Sequence, residues 1–463
     1  MNDLFNKVGF IILEGNKYSF SITKENILFH KIEGKAVEIL PITEHYEFII
    51  GSTVLGASVY FYHLNIHTHN IISDFLIGNA YAIFYPSLEN EQRINFQTIR
   101  FYGDTINRFY PPRNILAEDS LDELLRDPIK MEKYQGDKTI KLASFKDTTK
   151  EYKSKIKSKE CNLCLSIISP GKMTVDDMSL GNVNSYFEID FSEGQDFKDL
   201  LEYASIAKRF FNFIYNRSQI TFQTISVLCK DDKSGKNIKI GELYINDKIN
   251  ASDIPSRSRE CIRIGNLGDN LGVLFENLQE KDINLEHLPH NKNDFLLVDS
   301  SKYVAVAASF QCIFDFYNKK YINEDKDFKI VVDELNAKLE EMDTKYNGNN
   351  SQARKWIQKI KSDIKFQGTS LQNKYNSCFK DMESVQQLFA SIKNRYKIEK
   401  DTDLGKCFSS RRNEGAHSLI KGYDDPSILA FVLARAMIHA MILENSGIDS
   451  DNIKTMINLL FAI

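Results

Sequence analysis

Apolar and polar positions along this chain follow two regimes. From residue 8 to about 190 the apolar residues come in short or alternating runs rich in Ile, Val, Phe and Tyr, such as VGFIIL, KYSFSI, YEFIIG, SVYFYHLNIHTH, NAYAIFYP, INFQTIRFYG, TIKLASF and SYFEIDF. Clusters of Gly, Asn, Asp and Pro separate them, and this pattern predicts antiparallel strands. Residues 196–216 change period: Leu200, Leu201, Ala204, Ala207, Phe211 and Ile214 recur at three- and four-residue spacing, which predicts an amphipathic helix. Two more strand-like runs, ITFQTISVLC and IGELYIND, follow, so the β-rich region is expected to enclose the helix. The glycine-rich GNLGDNLG (265–272) fits neither a P-loop nor a dinucleotide fingerprint and is expected to be a loop.

After residue 295 the strand pattern stops. Asp299 and Ser300 form a capping pair ahead of YVAVAASFQCIFDFY, and helical periodicity continues through 327–343, 351–366, 370–396 and 426–445. In the last of these, Asp425 is the expected cap and Pro426 occupies the favoured first position. Leu429, Leu433, Ala436 and Ala440 line one face, and Gly447 stops the helix. The expected fold is therefore α+β and multidomain: residues 1–294 form a β-rich antiparallel domain with an inserted helix, and residues 295–463 form an all-α helical bundle.

The 463-residue length favours two or three domains over one. Charge adds one point: 59 Lys and Arg against 63 Asp and Glu give a net −4, so no whole-molecule cationic field marks a nucleic-acid binder. Any such site must be local, and the residues after 300, with 24 basic against 21 acidic, are the more cationic part. The first residues carry only a five-residue apolar stretch, too short for a secretory core. FVLARAMIHAMIL is interrupted by Arg435 and His439 and falls short of a bilayer span. Seven scattered cysteines fit reduced thiols, and the expected location is cytoplasmic, without membrane association.

The segment CFSSRRNEGAHSLIKGYDD carries the chemistry. On a helix capped by Ser409 or Ser410, Asn413 and His417 lie four residues apart on one face, with Arg412 beside them near the helix N-terminus. A guanidinium supplies permanent charge and paired donors for a phosphate, helix-start amides add donors, and an imidazole titrates near neutrality. Those groups suffice to cleave RNA without a metal: the 2′-hydroxyl attacks the adjacent phosphorus, His417 moves a proton, and Arg412 offsets charge on the phosphoryl oxygens. DNA lacks that nucleophile. By composition, Arg-Asn-x-x-x-His is expected about 0.02 times in such a chain, so coincidence is uncommon. The plainer alternative is a surface arginine and a helix histidine satisfied by a neighbour.

With Arg412, Asn413 and His417 in RRNEGAH, the sequence resembles the HEPN superfamily (higher eukaryotes and prokaryotes nucleotide-binding). Its surroundings are similar too: an acidic residue on a first bundle helix, here Asp315, and a closing helix ending in LENSGI. The β-rich region ahead of the bundle resembles the layout of ApeA-type proteins of bacterial anti-phage defence. The resemblance implies a metal-independent endoribonuclease that leaves a 2′,3′-cyclic phosphate and a 5′-hydroxyl, needs no cofactor, and acts on RNA, either tRNA or mRNA. It also implies a homodimer through the bundle, Asp315 as acidic partner, and an N-terminal domain that senses a phage-derived trigger. The rival reading, from a different class, is a non-catalytic HEPN module for nucleotide or RNA binding, dimerisation or partner docking.

Other candidates stand beside the motif. Arg411 is either a second phosphate contact or a surface charge. Residues 351–380 hold Arg354, Lys355, Lys359, Lys361, Lys365, Lys374 and Lys380 against the single acid Asp363, with Trp356, Phe366 and Tyr375 interleaved. Lys355, Lys359 and Lys365 are the candidates to track an RNA backbone. The alternative is a solvated helix face whose aromatics sit in the core. His63, His67 and His69 alternate along one strand and read as a polar strand face, since a zinc site needs ligands from separate elements. Cys161 and Cys164 form a lone CxxC, read as buried thiols.

Overall fold

The computed structural model describes residues 6–23, 26–33, 43–67, 75–87, 94–112, 148–168, 183–231, 234–246, 261–280, 283–291, 294–295, 297–317, 326–346, 351–367, 370–399, 401–416 and 422–461. The fold is α+β, with a strand-built N-terminal region and a helical C-terminal region. It divides into two compact units, 1–264 and 265–463, whereas the residue pattern put the boundary at 294/295.

The first unit holds strands β1 (Val8–Leu13), β2 (Asn16–Ile22), β3 (Ile27–Glu33), β4 (Thr43–Thr53), β5 (Ser58–His67), β6 (Phe75–Pro86) and β7 (Asn95–Tyr102). A short helix α1 (Asp104–Phe109) comes next. Then come β8 (Lys150–Ile156), β9 (Lys159–Ile168), β10 (Asn184–Asp196), helix α2 (Leu200–Ile214), β11 (Thr224–Lys230) and β12 (Asn237–Ile245). The strands form one sheet in the order β3-β2-β1-β4-β5-β6-β12-β11-β7-β10-β9-β8, and β3 also pairs with β6. That extra pairing, Ile27 to Gly78 through His30 to Phe75, closes the first six strands into a barrel. Alternate residues point inward and build its core from Phe20, Phe29, Phe61, Leu64 and Ile66. Gly9 permits the closest strand approach: a Cβ there would lie 2.2 Å from the Ser52 carbonyl oxygen and 2.5 Å from the Phe20 ring.

The predicted inserted helix is α2, and its apolar face covers the sheet beyond the barrel. Phe211 meets Phe187 of β10 edge-on at 5.3 Å and Phe109 at 5.5 Å. The other face of these strands is polar. Arg100 of β7 sits in register with Glu188 of β10, donates its Nε to that carboxylate at 2.5 Å, and lies 4.4 Å from the Tyr186 ring. TIKLASF falls outside the described residues.

The second unit contains α3 (Leu271–Asn277), α4 (Ser300–Tyr317), α5 (Lys326–Lys345), α6 (Ser351–Gln367), α7 (Leu371–Asp381), α8 (Glu383–Ile392), α9 (Leu404–Ala416), α10 (Asp425–Asn445) and α11 (Ser450–Phe461). GNLGDNLG is not a loop: it lies in short helical turns that lead into α3, with Leu267, Leu271, Leu274 and Phe275 buried at helical spacing. The division falls before α3 because this segment packs with the helices. Asn270 donates to the Gly447 carbonyl, Asn277 donates to the Asn445 carbonyl and the Ser446 hydroxyl, and the His287 ring meets His439 edge-on at 5.7 Å.

Helix α10 is the axis of the unit. It is the one helix among the described residues long and apolar enough to cross a membrane by length and composition, and 83% of its apolar window is buried inside the protein. Leu429, Leu433, Ala436 and Ala440 are all buried, as their spacing predicted. The cap, however, is Asp424, whose side chain accepts from the Ser427 amide, one residue ahead of the expected Asp425. The helix predicted over 370–396 is interrupted at Met382, which is extended (φ −97°, ψ 95°). The Gln386 side chain takes up the carbonyls of Phe379 and Lys380 there.

Candidate functional site

The motif segment forms the last two turns of α9, and this reverses one expectation. The helix begins at Leu404, where Asp403 accepts from the Lys406 amide at 2.9 Å and caps it. Ser409 and Ser410 therefore lie inside the helix, and Arg412 and Asn413 stand near its carbonyl end. Amides of a helix start are not available to a phosphate there. Burial acts to raise the Asp403 pKa, but donors from Lys406, Asn376 and Gln372 outweigh it and hold the carboxyl below its usual range.

Aromatic packing fixes the position of α9. Phe408 is fully buried, 5.3 Å from the Tyr303 ring of α4 and 5.2 Å from the Tyr375 ring of α7. Tyr303 donates to the Ser427 carbonyl and Tyr375 to the Ala430 carbonyl, so both phenols also hold the first turns of α10. Burial pushes both phenol pKa values upward, and they stay protonated donors.

The two adjacent arginines have different settings. Arg411 is consumed by three partners: Nη1 donates to Glu414 at 2.7 Å, Nη2 to Asp424 at 3.2 Å and Nε to the Ser427 hydroxyl at 3.1 Å. It ties the end of α9 to the start of α10, and its geometry is that of a tether. Burial favours the neutral form of Asp424, but the Ser427 donors and Arg411 prevail and keep that carboxyl below its usual range. Arg412 and Asn413 are exposed, and the Arg412 Nη1 donates to Asn413 Oδ1 at 3.1 Å. That contact aligns two donor-rich side chains toward solvent. His417 follows the last residue of α9, Ala416, and lies outside the described residues.

Asp315 is not brought to the motif. It lies twelve residues along α4 from Tyr303, roughly 18 Å at helical rise, while Tyr303 shares the Ser427 corner with Arg411. Its carboxylate instead receives Lys374 Nζ of α7 at 2.5 Å. The ion pair arises because Lys374, only 5% exposed, needs a carboxylate to offset burial.

The basic stretch is split between helices. Lys374 is buried, Arg354 and Lys361 engage Asp343 of α5 at 3.3 and 3.9 Å, and Lys355 and Lys359 are exposed. Lys359 lies 5.2 Å from the Trp356 ring, which is itself exposed, whereas Tyr375 is in the core. The Lys365 and Phe366 side chains lie outside the described ones.

Sequence reasoning missed Tyr423. Its ring stacks on Tyr303 at 5.4 Å, and its buried hydroxyl has no hydrogen-bond partner among the described residues. Only its place six residues after His417 signals it. His45 stacks on His63 at 5.7 Å and bonds to Asn65, as a polar strand face does; His69 lies outside the described residues. Among the described residues no group of three His, Cys, Asp or Glu side chains is placed to hold a metal. All seven cysteines are free, and burial pushes the Cys164 thiol up to about 12, far from thiolate chemistry at neutral pH. No protein family, curated protein or solved structure matches the chain.

Proposed function

We propose that this chain is a HEPN-type, metal-independent endoribonuclease of bacterial anti-phage defence. The helical unit serves as the HEPN bundle and the strand-built unit as its ApeA-like sensor of a phage-derived trigger. The observation that carries the reading is the unequal use of Arg411 and Arg412. The first locks the motif helix to α10, which leaves the second exposed beside Asn413, five positions before His417 in the sequence.

In the proposed reaction the 2′-hydroxyl loses its proton and its oxygen bonds to phosphorus. The bond to the 5′-oxygen breaks and that oxygen gains a proton, which gives a 2′,3′-cyclic phosphate and a 5′-hydroxyl. His417 carries the proton, and Arg412 with Asn413 donates to the phosphoryl oxygens as their charge grows. Because the motif sits at a carbonyl end rather than an amide end, the helix dipole opposes phosphate binding, and Arg412 bears a larger share. The working form is a cytoplasmic homodimer through the bundle.

The test is cleavage of total cellular RNA in EDTA with mapping of the cut ends. Arg412→Ala and His417→Ala are each expected to lower the rate by at least 100-fold while the fold persists. Wild-type cleavage by His417→Ala would refute the mechanism, and cleavage lost on chelation would point to a metal nuclease. RNA retained without any cleavage by the wild type would favour the binding-module reading.

A further inference from the structure

Helices α5 and α6 pack as an antiparallel hairpin: Asp343 of α5 receives Arg354, Gln358 and Lys361 of α6, and Leu339 and Ile357 are buried. Outside that seam the hairpin is unusually apolar. Ile330, Val331, Leu335 and Met342 on α5 and Trp356 and Ile360 on α6 are between 42% and 58% exposed. Val331, Leu335 and Met342 follow each other at helical spacing, as do Trp356 and Ile360, so each helix presents a stripe. Such a patch, rimmed by charge, marks an interaction surface.

The chemistry of the patch selects its occupant. RNA would use the lysines and the Trp356 ring, but four aliphatic side chains offer it neither charge nor a ring face to stack on. The rims are opposite in sign. Among the described side chains α5 carries Asp333, Glu334, Glu340, Glu341 and Asp343 against two lysines, and α6 carries Arg354, Lys355, Lys359 and Lys361; the one acid in the α6 sequence, Asp363, lies outside the described side chains. A surface with one acidic helix beside one basic helix is complementary to itself when turned by a two-fold axis, because each α5 then meets the other copy's α6. Asp343 already shows this pairing within one hairpin, and Glu340, Glu341, Lys355 and Lys359 lie outside it.

We infer that the α5–α6 hairpin is where a second copy of this chain docks, as an antiparallel four-helix contact with an aliphatic centre and crossed acidic and basic rims. The inference rests on the dimeric part of the proposed function and uses none of its catalytic chemistry. Assembly and RNA cleavage are read separately, so either can fail alone.

Sedimentation velocity of the full chain at micromolar concentration tests it. The wild type is expected to be a dimer. Leu335→Glu is expected to give a monomer with an unchanged circular dichroism spectrum, because the position is exposed. The variants Lys355→Glu/Lys359→Glu and Glu340→Lys/Glu341→Lys are each expected to be monomeric alone and to form a heterodimer when mixed. That rescue excludes misfolding as the cause. A monomeric wild type, a dimer indifferent to Leu335→Glu, or variants that stay monomeric on mixing would overturn the proposal. So would Lys355→Glu/Lys359→Glu that loses RNA while remaining dimeric, since it would assign the surface to nucleic acid.

Discussion

Each unit draws an arginine out of solvent, partly for Arg100 and wholly for Arg435, and the two have different surroundings. In the strand-built unit Arg100 lies across from Glu188 in the ladder register, and a carboxylate only 8% exposed neutralises it. In the helical unit Arg435, on the central helix, is 2% exposed and lies over ring faces, 4.4 Å from Phe295, 5.8 Å from Phe461 and 5.9 Å from Phe431. Burial pulls its pKa down to about 9, so it remains a cation at neutral pH but a costly one. A sheet can place an opposite charge directly across a strand; at the central helix the cation lies over three rings, and Asp294 acts on it from beyond them. The comparison shows that burial of charge alone does not indicate what its removal would do.

One substitution made in both places tests that contrast. Arg100→Met should cost about 3 kcal/mol in urea unfolding, because Glu188 would be left buried without its cation. Arg435→Met should cost less, about 1 kcal/mol, since a long apolar side chain suits the rings and Asp294 keeps its ion pair with Lys302. A loss as large as that for Arg100 would show that the rings together with Asp294 hold the cation as firmly as Glu188 holds Arg100.

Acid sharpens the contrast on the helical side. His287 is buried near Arg435 and His439, and burial first, then their charges, depress its pKa well below 6.5. Its contribution to stability is fully present above about pH 6.5 and is lost as pH falls, because the unfolded chain takes up a proton that the folded histidine refuses. The slope should reach about 1.4 kcal/mol per pH unit, and His287→Phe should remove it from the unfolding curves. The smallest effects separate the neighbours at the motif. Arg411→Ala should cost about 1 kcal/mol by loosening α9 from α10, whereas Arg412→Ala should change stability by less than about 0.5 kcal/mol and abolish cleavage. Equal stability losses would remove the distinction between tether and exposed arginine.

Element types were legible because burial follows period: alternating runs became strands, and the Leu429–Ala440 series became the buried face of α10. The barrel was not legible, since pairing of β3 with β6 depends on contacts across some fifty positions that no local pattern encodes. The helical turns at 264–277 were not legible, because glycines suggested a loop where four buried apolar residues enforce helical spacing. At the motif the residue types were legible, but the start of the helix was not. Serines at 409 and 410 imitate a cap, while Asp403, a turn and a half earlier, does the capping. The environment of Asp315 was equally hidden, because Lys374 reaches it only through the fold.

The β3 to β6 pairing also determines what remains unprotected. With that end of the sheet sealed, β8 is the margin with one strand neighbour among the described residues, and an open margin is a template on which other chains can zip. Along it stand Lys150, Lys153 and Lys155 against the single acid Glu151, all four exposed. Two copies approaching margin to margin would bring an excess of positive charge together on every such strand, so the lysines guard this margin against fibril growth.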